Sequence, residues 1–203
     1  MNSKQYLDRL LVRYSGTFNI YKPYCIGGRE FDAYGYFYNH LEKYVLVRDA
    51  NLWSSDSYEH ILFLTTPELT EEIVKDMKRI LVNHVEPQLV RKGEKNPPKN
   101  HMYSYMTAVM ITDKKPEKNV IKSVKNFHFD QGYMMNVRGY SQVHFCLVSI
   151  EDEKVYTNPA ARKKKKALKE VIREVKAHKI GFEEMCEKHQ IEPIHQEEQQ
   201  SEN

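Results

Sequence analysis

The stretch His101–Thr112, HMYSYMTAVMIT, decides the fold. Alternate residues of a strand face opposite sides, so Met102, Met106 and Met110 share one side and Tyr105, Val109 and Ile111 the other. A strand that is apolar on both sides lies inside a sheet covered on both faces. Residues 142–150 repeat the pattern, with Val143, Phe145 and Leu147 set against Cys146, Val148 and Ile150.

Working outward, residues 57–64 and 43–48 read as further strands, separated by a polar loop holding Trp53, Ser54 and Ser55. Residues 18–25 and 31–39 are aromatic-rich runs flanking Gly27-Gly28, a hairpin signal because glycine accepts positive φ. Helical spacing appears over residues 3–15, with Ser3 as the cap and Gly16 as the stop. A longer helix is predicted to open at Thr66-Pro67, to bury Leu69, Ile73, Met77, Ile80, Leu81 and His84, and to close at Pro87. Residues 88–100 read as a loop and 117–126 as a helix. Residues 127–135 read as a strand, Val137–Tyr140 as a turn around Gly139, and 154–157 as a return strand. Pro159 precedes a last helix with Leu168, Val171, Ile172 and Val175 on one stripe.

This order predicts an α+β fold: a single domain with a mixed, largely antiparallel sheet covered by helices, and a C-terminal helical extension. The expected division is a core over residues 1–158, a basic amphipathic helix with a short following helix over 159–189, and an acidic, disordered tail over 190–203.

The charge supports that division. Of 203 residues, 31 are Lys or Arg and 28 Asp or Glu, a formal net charge of +3. Residues 1–159 carry +2, residues 160–180 carry +7 and residues 181–203 carry −6. A nearly neutral body does not fit a protein whose whole surface neutralises phosphates, so any nucleic-acid contact is expected on the basic segment. Uninterrupted apolar runs stop at four residues, as in Ile61–Leu64, far short of the ~20 that a membrane helix needs. The opening MNSKQYLDRLL reads as no secretory signal. Cys25, Cys146 and Cys186 are an odd number at wide spacing, which suits neither a disulfide framework nor a C-x-x-C site. A cytoplasmic protein that does not contact membranes is expected.

Chemistry can be sought in the strand histidines. His60, His101 and His144 each lie in or at the start of a buried run and would converge if their strands were neighbours; each could equally be a core histidine holding one hydrogen bond. Asp56, Glu59 and His60 fall together, and strand parity puts Asp56 and His60 on one face with Glu59 on the other. An Asp–His pair could fix an imidazole tautomer for base catalysis. The candidate catalytic set is therefore Asp56, Glu59, His60 and His101. The acid-x-Lys signature of a metal-dependent nuclease occurs four times, at Asp76, Asp113, Asp152 and Glu174, about as often as chance gives for this composition. Phosphate loops, dinucleotide fingerprints and nucleophile elbows are absent. No cofactor is predicted, and a divalent metal enters only with a hydrolase reading.

Two features speak for binding. Tyr34, Tyr36 and Tyr38 alternate along one strand face, with Trp53 in the next loop, offering flat rings to a base or a protein surface. Lys163, Lys164, Lys165 and Lys166 follow Arg162 at a helix start, where cations oppose the macrodipole. Protein or nucleic acid is the expected partner of residues 162–179, unless the acidic residues 183–202 neutralise the run in cis.

Tyr44-Val45-Leu46-Val47-Arg48, Leu52-Trp53, Asp56-Ser57-Tyr58-Glu59-His60, His101-Met102, Gly139-Tyr140 and Val155-Tyr156-Thr157-Asn158 carry a resemblance. Through them, over approximately residues 30–160, the chain resembles a family of conserved uncharacterised proteins from bacteria and archaea. The resemblance implies no activity, so no catalytic role passes to any residue. Two functions are expected in competition. One is a binding module acting through the Tyr-rich face or the basic helix; the other is a hydrolase, of phosphodiesterase or nuclease type, with the four candidates around one pocket.

Overall fold

Three parallel strands form the centre of the molecule. A computed structural model describes residues 1–43, 53–189 and Ile194. The strand expected over 43–48 falls mostly outside the described residues, as does the tail from 190 apart from Ile194.

The strands are β1 (Asn19–Tyr21), β2 (Tyr24–Ile26), β3 (Arg29–Phe31), β4 (Ala33–Lys43), β5 (Trp53–Thr66), β6 (His101–Thr112), β7 (Asp130–Gly132), β8 (Tyr140–Ser149) and β9 (Lys154–Thr157). The main sheet runs β1-β4-β5-β6-β8-β7, with β9 also on β8, while β2 and β3 form a small separate hairpin around Gly27 and Gly28. β5–β6 and β6–β8 are parallel, and the other pairs antiparallel. The sheet is thus mixed and largely antiparallel, and the fold is α+β. Parallel neighbours need crossovers, and these carry the helices α2 (Glu71–Ile80) and α3 (Lys118–Lys125) onto one face. The opposite face is covered by α1 (Ser3–Ser15) and α4 (Lys164–Lys176), flanked by α5 (Phe182–His189).

The two-sided reading of β6 and β8 is what the core is made of. Met106, Ala108, Met110, Val143, Phe145 and Leu147 pack under α2 and α3, whereas Val109, Ile111, Cys146 and Val148 pack under α1 and α4. Each such fully buried Val, Ile, Leu, Met or Phe side chain contributes about 1.5–3 kcal/mol. The cover does not run the length of the strands. Met102 is 42% exposed and Tyr103 and Tyr105 are half-buried, so the amino-terminal end of β6 emerges from under the helices.

Several local expectations are corrected. Asn2, not Ser3, caps α1, in a capping box with Gln5. Ser3 instead bonds the Asp113 carboxylate through its N–H and its hydroxyl, tying α1 to the end of β6. Thr70 caps α2, because Thr66 is still the last residue of β5. Pro87 does not end this helix: α2 continues as a π-helix over Leu81–Val90 with Pro87 inside it. A proline ring clashes with the carbonyl four residues back in an α-helix, and the wider π turn shifts that carbonyl away. His84 is only half-buried, and the stripe is completed by Val74.

The C-terminal helices extend the chain beyond β9 yet serve as cover. Tyr6 donates its hydroxyl proton to the Leu168 carbonyl at 2.7 Å, and Glu174 receives Arg9 at 2.7 Å and Arg13 at 2.8 Å. Ile194 returns to the sheet, its carbonyl accepting the Lys22 N–H at 3.3 Å. No helix among the described residues is long and apolar enough to cross a membrane.

Candidate functional site

Where the helices stop short, the amino-terminal halves of β5, β6 and β8 present two differently built surfaces, one on each face of the sheet. Residues Tyr58, Glu59 and His60 alternate between them.

On the α2 face, register sets the partners. Asp56 lies directly across from His40 in the β4–β5 ladder. Its Oδ1 is 2.5 Å from His40 Nδ1 and accepts the Tyr38 hydroxyl at 3.0 Å. His60 is held by a different group: its Nδ1 is 2.7 Å from the Tyr34 hydroxyl. The expected Asp56–His60 pair is therefore replaced by Asp56–His40 and Tyr34–His60, because residues four apart along a strand are separated by more than a hydrogen bond spans. His60 is buried, and burial lowers its pKa to about 3, with Lys92 and His101 adding to the shift. Its Nε2 has no hydrogen-bond partner among the described residues.

His101 shares this face, stacked on Tyr58 at 5.9 Å. Its Nδ1–H donates to the Arg138 carbonyl at 2.9 Å, so Nε2 is the lone pair that accepts the Ser104 hydroxyl at 2.8 Å. Burial lowers the His101 pKa, and Ser104 is fully buried. Behind it the π-helix contributes Glu86, buried and satisfied by Arg91 at 2.8 Å and the Tyr133 hydroxyl at 2.7 Å. A cavity of about 680 Å³ opens on this face between the sheet and the π-helix, with Tyr36, Tyr58 and His60 in its wall.

Glu59 points the other way. On the α4 face its Oε1 accepts the Thr107 hydroxyl at 2.6 Å and the Lys164 ammonium at 2.5 Å. His144, across from Thr107 on β8, stacks on Tyr105 at 4.4 Å. Its Nε2–H donates to Gln142 Oε1 at 3.2 Å. Burial, then the nearby Lys164 charge, lowers its pKa to about 4. Beyond it Tyr103 and Tyr140 lie directly opposite in the β6–β8 ladder. The Tyr103 ring is 4.8 Å from Tyr105 and 6.1 Å from Tyr140, which makes one aromatic surface across two strands. Tyr140 is 37% exposed.

The first turn of α4 borders this surface. Lys164 turns inward to Glu59, while Arg162, Lys163, Lys165 and Lys166 are exposed. Cations at a helix start are unfavourable, and no acidic residue stands in this turn. The Glu59 carboxylate supplies the missing countercharge from the sheet. Neutralisation by the acidic C-terminal residues is not seen where they are described: Glu183 pairs with Lys22 and Glu184 with Lys188. Lys163, Lys165 and Lys166 make no ion pair among the described residues.

The four residues named as catalytic candidates are thus split. Asp56, His60 and His101 share one face with separate partners, and Glu59 belongs to the other; nor does His144 join the first two histidines. Among the described residues no group of three or more His, Cys, Asp or Glu side chains could hold a metal ion. None of the three cysteines is in a disulfide among the described residues; Cys25 is exposed and the other two are buried. The expected tyrosine face is also divided in use. Tyr34 is fully buried, Tyr36 half-buried in the cavity wall, and Tyr38 exposed at the rim. Trp53 begins β5, and its side chain lies outside the described residues. The tyrosines that stand beside the basic turn are instead Tyr103, Tyr105 and Tyr140. Their signal in sequence is the Tyr-x-Tyr spacing at 103–105, but only the β6–β8 register brings Tyr140 to them.

Comparison with curated proteins finds no match, and comparison with solved structures finds none. A family model does match, and over more of the chain than residues 30–160: it takes in α1, both surfaces and the basic first turn of α4. The chain belongs to the family described as Domain of unknown function (DUF8052), which covers its residues 2–170.

Proposed function

We propose that the protein is a binding module for single-stranded nucleic acid, with bases stacking on Tyr103, Tyr105 and Tyr140 and phosphates held by Arg162, Lys163, Lys165 and Lys166. The observation that carries this reading is the contiguity of three partly open tyrosine rings with a cluster of exposed cations that make no ion pair among the described residues. Every base has a π-face, so stacking on tyrosine is sequence-tolerant and contributes about 1–3 kcal/mol per base. Each phosphate neutralised releases counterions, so affinity should fall steeply with salt. Lys164 takes no part in this contact, since Glu59 already engages it. Such a module belongs in the cytoplasm, where its cysteine thiols stay reduced.

Fluorescence anisotropy of a labelled oligothymidylate, measured across a salt series, tests the proposal. Tyr103→Ala or Tyr140→Ala should weaken binding about tenfold. The combined Lys163→Gln, Lys165→Gln, Lys166→Gln variant should flatten the log–log salt slope by about 2, at roughly 0.7 per phosphate lost. A slope and affinity unchanged in that variant would sink the reading. A hydrolase site fits less well, because its four residues would lie on both sides of the sheet.

A further inference from the structure

The cavity on the α2 face is a separate matter. Its floor is the aromatic stretch of β1, β4 and β5, and its roof is the π-helix with the loop that follows. Three kinds of surface meet in it. Tyr36 and Tyr58 offer ring walls, and Leu89 and Val90 add an apolar side. His60, 4% exposed, lines it and carries a buried polar atom, Nε2, that nothing among the described residues satisfies. Lys92, held at φ +53, brings an ammonium at the wall and makes no ion pair among the described residues.

We propose that this cavity binds a small heteroaromatic ligand carrying an anionic group: the flat ring lies along Tyr36 and Tyr58, an edge atom of it bonds His60 Nε2, and Lys92 takes the anion. Buried polar atoms are almost always paired, and leaving one unmatched is costly; a ligand edge of complementary polarity removes that cost. The Tyr34 hydroxyl on Nδ1 fixes which way the imidazole presents Nε2, so His60 acts as a reader of hydrogen-bonding pattern. It is not the anion's partner, because burial keeps it uncharged at neutral pH. That role falls to Lys92. The volume, about 680 Å³, lies within the range of small-ligand sites. The site shares no contact residue with the oligonucleotide surface, so either can fail alone.

The test titrates the full chain with AMP, GMP, CMP, UMP and nicotinate, following the His60 Hε1 proton resonance and tyrosine fluorescence. At least one probe should shift the His60 resonance saturably. A response to the nucleotides alone assigns phosphate as the anion; a response to nicotinate assigns carboxylate. Lys92→Gln and Tyr58→Ala, checked for an unchanged far-UV spectrum, should each weaken that probe about tenfold, and Lys163→Gln with Lys165→Gln should not. No saturable shift with any of the five probes overturns the proposal, and so does binding that survives both cavity variants unchanged.

Discussion

The two faces of the sheet are built from the same strands and differ in charge. On the α4 face an ion pair stands beside a neutral histidine: Glu59 sits between Thr107 and Lys164, His144 has Gln142 on one nitrogen and no partner among the described residues on the other, and the tyrosines next to it look out to solvent. On the α2 face the central group is neutral and stands without an ion pair beside it: His60 has Tyr34 on one nitrogen and no partner among the described residues on the other. An open surface with exposed cations suits a long flexible polyanion, whereas a cavity walled by tyrosine rings and a neutral imidazole suits a small molecule whose edge can be read. On the two proposals together, one sheet would carry both kinds of recognition on residues that the two sites do not share.

The largest expected effect concerns what the faces share. Each holds a buried histidine with a strongly depressed pKa, about 3 for His60 and about 4 for His144, beside the smaller lowering of His101 on the α2 face. The unfolded chain binds protons on both near pH 6.5 and the folded chain does not, so the stability they contribute is complete above that pH and is lost as pH falls toward the folded values. The slope should approach about 1.4 kcal/mol per pH unit for each histidine below pH 6. Urea unfolding at pH 7 and pH 5 should differ accordingly, and His60→Asn and His144→Asn should each remove a large part of the difference, with His101 keeping a smaller share. If one variant removes all of it, the faces are not equivalent in burial.

Next in size is the ion pair that holds the α4 face together. Lys164→Met leaves Glu59 facing the sheet with only Thr107, and should cost about 3 kcal/mol of unfolding free energy, because a largely buried charge without its partner is expensive. Glu59→Gln in the same background should recover part of it. A loss under about 0.5 kcal/mol would mark the pair as an ordinary surface contact and weaken the contrast drawn above. The smallest effect is the sharpest probe of independence. Tyr34→Phe strips His60 of its hydroxyl partner and should lower stability by about 1 kcal/mol, while leaving oligonucleotide affinity unchanged by anisotropy. A tenfold loss of affinity there would show that the faces are coupled through β5.

How much of this could be read from the chain depends on the range of the interaction concerned. The two-sided strands, the Gly27-Gly28 hairpin and the apolar stripe of α4 are local patterns, and all three stand in the structure. The parity that separates Glu59 from His60 is also local, and it already divided the candidate catalytic set. What was not legible depends on register between distant segments. Asp56 meets His40 through the β4–β5 ladder, and Tyr103 meets Tyr140 across 37 positions of chain. Pro87 misled for a different reason: the stop signal it carries assumes an α-helix, and the π turn is a local geometry that evades it.

The pleat of β5 has a consequence for how such proteins diverge. Glu59 and His60 are neighbours in the chain and strangers in space, each committed to a partner far away in sequence. Within the family, position 59 should therefore change in step with position 164, and position 60 with position 34, while 59 and 60 drift without regard to one another. A single inserted residue between Asp56 and Glu59 would exchange the two assignments, sending the carboxylate into the cavity and the imidazole toward the lysine. Length along this strand should thus be under tighter constraint than the identity of any one residue in it.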